Sequence, residues 1–412
     1  MNALKTWLVV CLGLSLGALC AEEVTRARFP DADAVILDEH ESVAYRPDGT
    51  YETIVESRTK VLTERGQREE RVISFDYNAR YGKAEILSLG VIGTNGVERA
   101  IDFAATMRES TDNSSMRENI VDPLDRKVTC TIPGLQVGEV VHLKMRRAVV
   151  KSRIQDQWSD ATVMEWTYPI LRSVYEVKAP AERPIRSRAI RHPLGNVVST
   201  ERKLPDGSML YTYTATNSPR IFPEPDMPPT WTQVQNVRLS TAADWREISR
   251  WYWQLCEPRL ACTTEAMTNK VNEIGRDVRA LFKFVSQEVR YMGLTMEDDS
   301  PGYAPHDVNI TFDNRYGVCR DKAGLLVAML RIAGFRAFPV LINVGAKMDP
   351  DVPQPYFNHA IVAVEQDERD ENGERSYLLM DPTNENTKDL FPAYLCSRSY
   401  LVARPDGEGL RT

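Results

Sequence analysis

Two hydrophobic periods divide this chain. Across residues 34–217 apolar and polar side chains alternate in short runs separated by turn residues, whereas beyond residue 240 apolar residues recur at threes and fours. Period two marks one face of a strand and period three to four one face of a helix, so no single layer accommodates both. The runs at 50–62, 140–146, 174–178 and 209–214 are of the first kind. Two of them follow turn sequences, Arg46-Pro47-Asp48-Gly49 and Pro133-Gly134-Leu135-Gln136-Val137-Gly138. Short strands with Gly, Pro and Asp turns predict an antiparallel sheet or sandwich.

Pro219, Pro223, Pro225, Pro228 and Pro229 then crowd a stretch with neither period, the composition of a stiff linker. Beyond it Trp245, Ile248, Tyr252 and Leu255 make one helix face. Met267, Val271, Ile274, Val278, Leu281, Val285 and Val289 predict one longer helix packed on a core. An irregular segment at 291–314 leads to a helix that opens at Cys319 and stops at Gly334, a favourable residue just past a helix end. Residues 335–342, 358–365 and 375–380 read as strands, the last two joined by the polar loop 367–374. With 412 residues, more than one core usually holds, the chain divides into a leader (1–21), a β-rich domain (22–217), a Pro-rich linker (218–240) and an α+β domain (241–412).

The leader reading rests on one positive charge at Lys5, the apolar run 6–19 and small residues before Glu22-Glu23, the plan of a secretory signal peptide. Its apolar core is short for a spanning helix, and no later segment is long and apolar enough to cross a bilayer. The mature protein is therefore expected outside the cytoplasm, periplasmic or extracellular, and Cys20 offers a site for a lipid anchor. Removing the leader leaves Cys130, Cys256, Cys262, Cys319 and Cys396, an odd number, so at least one thiol is unpaired. Cys256 and Cys262 are close enough to pair across a short loop, or to remain two free thiols. A net charge of −7 without a lysine or arginine run argues against nucleic acid as partner. The sequence leaves the oligomeric state open.

Cys319 opens a helix after Gly317, where unpaired N–H groups and the helix dipole favour thiolate over thiol. His359 falls on a strand and Asp381 ends a later one. That order suits a Cys-His-Asp site in which the thiol attacks an acyl carbon, the imidazole moves the proton and the carboxylate orients the imidazole. Strand alternation puts Phe357, His359 and Ile361 on one face and Asn358, Ala360 and Val362 on the other. A loop centred near Asp370 sets His359 opposite Asp381; one centred on Asn372-Gly373 slips that register. The Cys319 N–H is one candidate oxyanion donor, with Tyr303 and His306 as candidates for the second. With no CxxC, HxxxH or HExxH pairing, neither metal nor other cofactor is expected. His40, His142 and His192 lie in the β-rich half, apart from any suitably spaced cysteine, and read as surface or structural residues.

At these residues the chain resembles the bacterial transglutaminase-like superfamily, with its papain-related fold. Gly317-Val318-Cys319-Arg320-Asp321-Lys322-Ala323, Asn358-His359-Ala360 and Asp381-Pro382-Thr383 follow its three core motifs. The first half is similar to the domain of unknown function that commonly precedes such a core in secreted bacterial proteins, through residues 133–140, 168–173 and Met227-Pro228-Pro229. The resemblance implies Cys319 as nucleophile, His359 as base and Asp381 as third member. It departs at Val318, where the family often has an acidic residue, and in the early stop after residue 403, where many relatives add a β-domain. The leading expectation is an exported thiol acyltransferase, amidase or peptidase. It would act on amide bonds of a polypeptide or cell-envelope peptide, with amine or water as acceptor. The alternative is a non-catalytic binding or scaffold protein that uses the β-domain to recognise a peptide. A sugar-binding role for Trp231, Trp245, Trp251 and Trp253 is less economical than core packing of the last three.

Overall fold

The computed structural model describes residues 24–294, 302–387 and 389–412. The expected leader, with Cys20, lies outside the described residues, as does part of the irregular segment at 291–314. No helix among the described residues is long and apolar enough to cross a membrane.

The period-two half builds an eight-stranded sheet. In spatial order its strands are Val197–Lys203, Met209–Ser218, Ile170–Ala179, Ala34–Tyr45, Tyr51–Val61, Val140–Val149, Gly82–Ile92 and Glu98–Ala100. Neighbours are antiparallel except Ala34–Tyr45 and Ile170–Ala179, which run parallel. The turn at 46–49 closes as its residues dictate. Gly49 takes a φ of 84°, and Asp48 accepts from the Thr50 N–H at 2.9 Å. Two three-stranded sheets cover apolar parts of the large one. Val43, Tyr45, Tyr175 and Tyr211 pack against Val237 and Leu239, and Val61, Ile86 and Val91 against Cys130 and Ile132. The result is sandwich-like, as alternation predicts.

Where a linker is expected over 218–240, the structure places a strand. Asn236–Ser240 is the central member of a three-stranded sheet, between Ser159–Val163 and Ser187–Arg191, and is buried along its length. The proline crowd hides it, because five residues are too few to show a period. After four intervening residues the helix Trp245–Leu260 begins, capped by Asp244 on the Glu247 N–H at 2.9 Å. The halves are therefore joined tightly. Arg191 forks onto Asp349 and reaches Asp351 at 2.7 Å, and Trp245 Nε1 donates to the Asp349 carbonyl at 2.9 Å.

The second half is built around Cys319–Ile332. Its residues 323–330 are buried on every side, the pattern of a helix enclosed by its domain. Trp245, Ile248, Tyr252, Leu281, Phe282 and Val285 cover it from neighbouring helices, and Leu341, Ala360, Val362 and Val364 from a sheet. The long helix expected over 267–289 is two, Glu265–Ile274 and Val278–Glu288. Gly275 breaks it at a φ of 100°, and Asp277 caps the second piece through the Ala280 N–H at 2.9 Å. The apolar spacing continues across the break, so periodicity alone could not find it.

The sheet runs in the order Arg375–Met380, His359–Arg369, Ala337–Ile342 and Tyr400–Val402, antiparallel throughout. Val362 pairs with Met380, which sets Asp381 level with Ile361 rather than with His359. The difference from the expected register is two residues, and an even shift keeps both side chains on the same face. Phe357 departs from the expected alternation. It precedes the strand and packs in the helical core, edge-on to Trp245, while Ile361 and Ala363 face a second cluster with Val340 and Val402. Trp245 is buried in that core, and Trp251 and Trp253 pack against its edge.

Candidate active site

Cys319 is the first residue of its helix, and Gly317 explains how the turn before it closes. A Cβ on Gly317 would lie 2.5 Å from the Asp321 Cβ. That space lets the Asp321 carboxylate fold back onto the Val318 N–H at 3.0 Å. Its other oxygen accepts from the His306 backbone N–H at 2.9 Å and contacts His306 Nδ1 at 3.0 Å. Asp321 is 1% exposed. Burial pushes its carboxyl up, but the His306 bonds and the Arg320 charge more than offset this and hold it below its ordinary value. One carboxylate thus caps the helix and ties the preceding loop to it. An acid three residues after the N-cap was the sequence signal for this role.

Lys322, next along the helix, is fully buried. Its Nζ donates to the Ser286 and Val289 carbonyls at 3.1 and 2.6 Å, closing the C-terminal end of Val278–Glu288. Burial lowers its pKa to about 8, against the opposing pull of Glu385 and Asp381. Beyond Val289, Arg290–Tyr291 pairs parallel with Tyr316–Gly317, immediately before the thiol. Gly293–Leu294 pairs with Ile120–Val121 of the first half.

Cys319, His359 and Asp381 come together. His359 Nε2 lies 3.0 Å from Asp381 Oδ2, which leaves Nδ1 for the hydrogen bond to the Cys319 thiolate. Burial opposes ionisation of Cys319, but the His359 hydrogen bond and charge, then the Ala360 N–H, bring its pKa below the ordinary thiol value. Burial likewise opposes charge on His359, yet its bonds to Asp381 and Cys319 raise it to about 10. Asp381 is fully buried, and burial pushes its carboxyl up, but His359 and Thr383 hold it below its usual range. Both shifts run toward a thiolate–imidazolium pair backed by a carboxylate.

Asp381 has further partners that the sequence did not announce. Thr383 donates from its N–H at 3.0 Å and its hydroxyl at 2.7 Å to Oδ1, and the Tyr394 hydroxyl donates to Oδ2 at 3.0 Å. Thr383 lies in the motif, whereas Tyr394 comes from an irregular stretch with no signal. Of the two candidates for the second oxyanion donor, Tyr303 has its hydroxyl committed elsewhere and His306 has one ring nitrogen engaged. The Tyr303 hydroxyl donates to the Pro355 carbonyl at 2.6 Å, and His306 Nδ1 is taken up with Asp321. None of the five cysteines among the described residues is disulfide-bonded, and Cys262 instead points its thiol at the Pro258 carbonyl at 3.3 Å. His40 and His142 pair with carboxylates on the large sheet, His142 bridging Glu56 and Glu98 at 2.9 Å each.

A helix-borne thiol facing a strand-borne imidazole across a domain core defines a papain-like class of site. Residues 261–371 match the transglutaminase-like superfamily, and residues 47–222 match a domain of unknown function, DUF3857. The chain therefore carries a transglutaminase-like core preceded by a DUF3857 domain. A crystal structure of a "putative protease" from Parabacteroides distasonis shares the fold, with 14% identity and a TM-score of 0.67. The match covers 92% of this chain and 71% of that one. A "putative cysteine protease" from Cytophaga hutchinsonii is 12% identical over 85% of this chain and 80% of its own. Its TM-score of 0.22 carries no structural argument. No curated protein matches the chain significantly.

Proposed function

We propose that this protein is an exported thiol acyl-transfer enzyme acting on amide bonds of a polypeptide or cell-envelope peptide. One observation carries the reading: His359 stands between the Cys319 sulfur and the buried Asp381 carboxylate, bonded to both. The Cys319 sulfur adds to the amide carbonyl carbon, and the oxyanion that forms lies near the Cys319 N–H at the positive end of its helix. The His359 imidazolium passes its Nδ1 proton to the leaving nitrogen, the C–N bond breaks and a thioester remains. Water or an amine then adds to the thioester as His359 takes its proton, and the thiolate leaves. Asp381 keeps the imidazole oriented and supports its charge throughout. Export rests on the leader-like residues 1–21.

The reading is tested by trapping the thioester. Full-length mature protein is incubated with glutamine-donor and peptide-amide libraries, quenched in acid and examined by peptide mass spectrometry. An acyl adduct on Cys319, discharged by hydroxylamine and missing in His359→Ala, supports it. Adducts spread over several cysteines, or unchanged in His359→Ala, would remove its basis and favour a binding protein.

A further inference from the structure

Between the two halves lies a cleft of about 620 Å³. One wall is Tyr303, Pro355 and Tyr356, in the segment that leads into His359. Tyr303 fixes it by donating to the Pro355 carbonyl at 2.6 Å and the Phe357 carbonyl at 3.3 Å. Tyr356 spans to the other half, its hydroxyl on the Ser159 carbonyl at 2.6 Å. The wall is thus rigid and continuous with the His359 strand.

The opposite wall carries unusual charge. Arg147, Lys151 and Arg153 line the cleft and are exposed. Arg147 donates to the Asp76 backbone carbonyl at 3.2 Å, while Arg153 and Lys151 lie over the Tyr81 ring at 4.4 and 6.0 Å. Among the described residues none of the three is in a salt bridge. Two other lining cations differ: Lys83 pairs with Glu85 at 3.1 Å and Arg126 with Glu109 at 2.9 Å. The lining carboxylates Asp76, Asp112, Asp125 and Asp160 are one fewer than the five lining cations, and the charge of Arg147 reaches Asp160 while that of Arg153 reaches Asp125. Asp160 is pushed up by burial and accepts from Tyr175 at 2.8 Å, Asp125 is pushed up by burial and accepts from Asn78 at 2.7 Å, and Asp112 is held by the Ser114 N–H at 3.0 Å.

We infer that this cleft is a binding site for an acidic polypeptide segment, with Arg147, Lys151 and Arg153 recognising its carboxylates. Guanidinium groups pair with carboxylates through two parallel hydrogen bonds, and the Tyr81 ring lies beneath Arg153 and Lys151. The choice of a polypeptide rests on the acyl-transfer reading, since the wall leads to the segment before His359.

The test is calorimetric titration of full-length Cys319→Ser protein with hexaglutamate, a Gly-Ser peptide of equal length and an oligothymidylate. Hexaglutamate is expected to bind, more weakly as salt rises. Lys151→Glu with Arg153→Glu should weaken it about tenfold or more. Lys270→Glu with Arg279→Glu, the same charge change on two helices of the other half, should not. Lys151→Gln with Arg153→Gln replaces the reversal if that variant melts early, and should also weaken binding. Unchanged affinity in both cleft variants, equal binding of the Gly-Ser peptide, or tighter binding of the oligothymidylate overturns the inference. Because Cys319→Ser performs no thiol chemistry, failure here leaves the acyl-transfer reading standing, and a failed thioester assay leaves this result standing.

Discussion

Cys256 and Cys319 occupy the same helical core and have opposite chemistry. Cys256, on the inner face of Trp245–Leu260, is 1% exposed, and burial pushes its thiol up to about 12 despite a bond with Tyr252. Cys319, half-buried at the edge of that core, is also opposed by burial but meets an imidazole, a backbone N–H and a nearby guanidinium, and its thiol falls below the ordinary value. Enclosure alone makes a thiol inert. What activates one is an opposite charge placed inside the enclosure, and a strand from elsewhere in the chain must deliver it.

The sharpest way to break that contrast is His359→Ala. It should cut thioester formation about a thousandfold or more and move Cys319 toward the behaviour of Cys256, as seen in alkylation rates at neutral pH. Asp381→Asn should reduce turnover about a hundredfold, with a smaller change in thiol pKa, because the imidazole loses its charge partner but not its place. A stopped assay on both variants separates the two effects; equal losses would mean that Asp381 is needed for the fold rather than for orientation.

Gly317→Ala probes the turn beneath the thiol. The added Cβ meets Asp321 at 2.5 Å, so denaturant unfolding should show a loss of about 1–3 kcal/mol. Tyr394→Phe removes one of four donors to Asp381 and should cost about 1 kcal/mol or less, with a several-fold fall in turnover. The smallest effect concerns pH. His359 is raised to about 10, so its contribution to stability is complete below the ordinary imidazole value of about 6.5 and fades as pH rises through about 10. Cys319 is lowered, so its contribution is present above the ordinary thiol range and is lost as pH falls through its own value. The melting difference between wild type and His359→Ala should therefore narrow above about pH 10. A difference that widened there would assign the stability to packing.

Much of this architecture was legible because long elements announce their period. The sandwich-like first half, the enclosed helix from Cys319 to the Gly334 stop and the three later strands all follow from alternation or from threes and fours. What escaped was short or non-local. Asn236–Ser240 has too few residues to show a period, and Gly275 breaks a helix whose apolar spacing carries on regardless. The His359–Asp381 register was off because the turn is centred on Asn372, where Arg369 pairs with Arg375; that alone would set Asp381 level with Ala363, and the bulge between Glu365 and Arg369 brings the difference back to two residues. The contact survived because an even shift preserves the face. Cys319, His359 and Asp381 could be named from their motifs. Tyr394, the Lys322 cap and the cleft could not, since each depends on which distant segment folds beside it.

The central claim is that Cys319 is ionised beside His359 while Cys256 is not. Iodoacetamide labelling of the mature protein across pH, with each cysteine followed by peptide mass spectrometry, tests it most directly. The account predicts that Cys319 is half-labelled well below the free-thiol value of about 8.5, that His359→Ala removes this early step, and that Cys256 stays unlabelled until the protein unfolds. A Cys319 profile centred at or above that value and indifferent to His359 would contradict it.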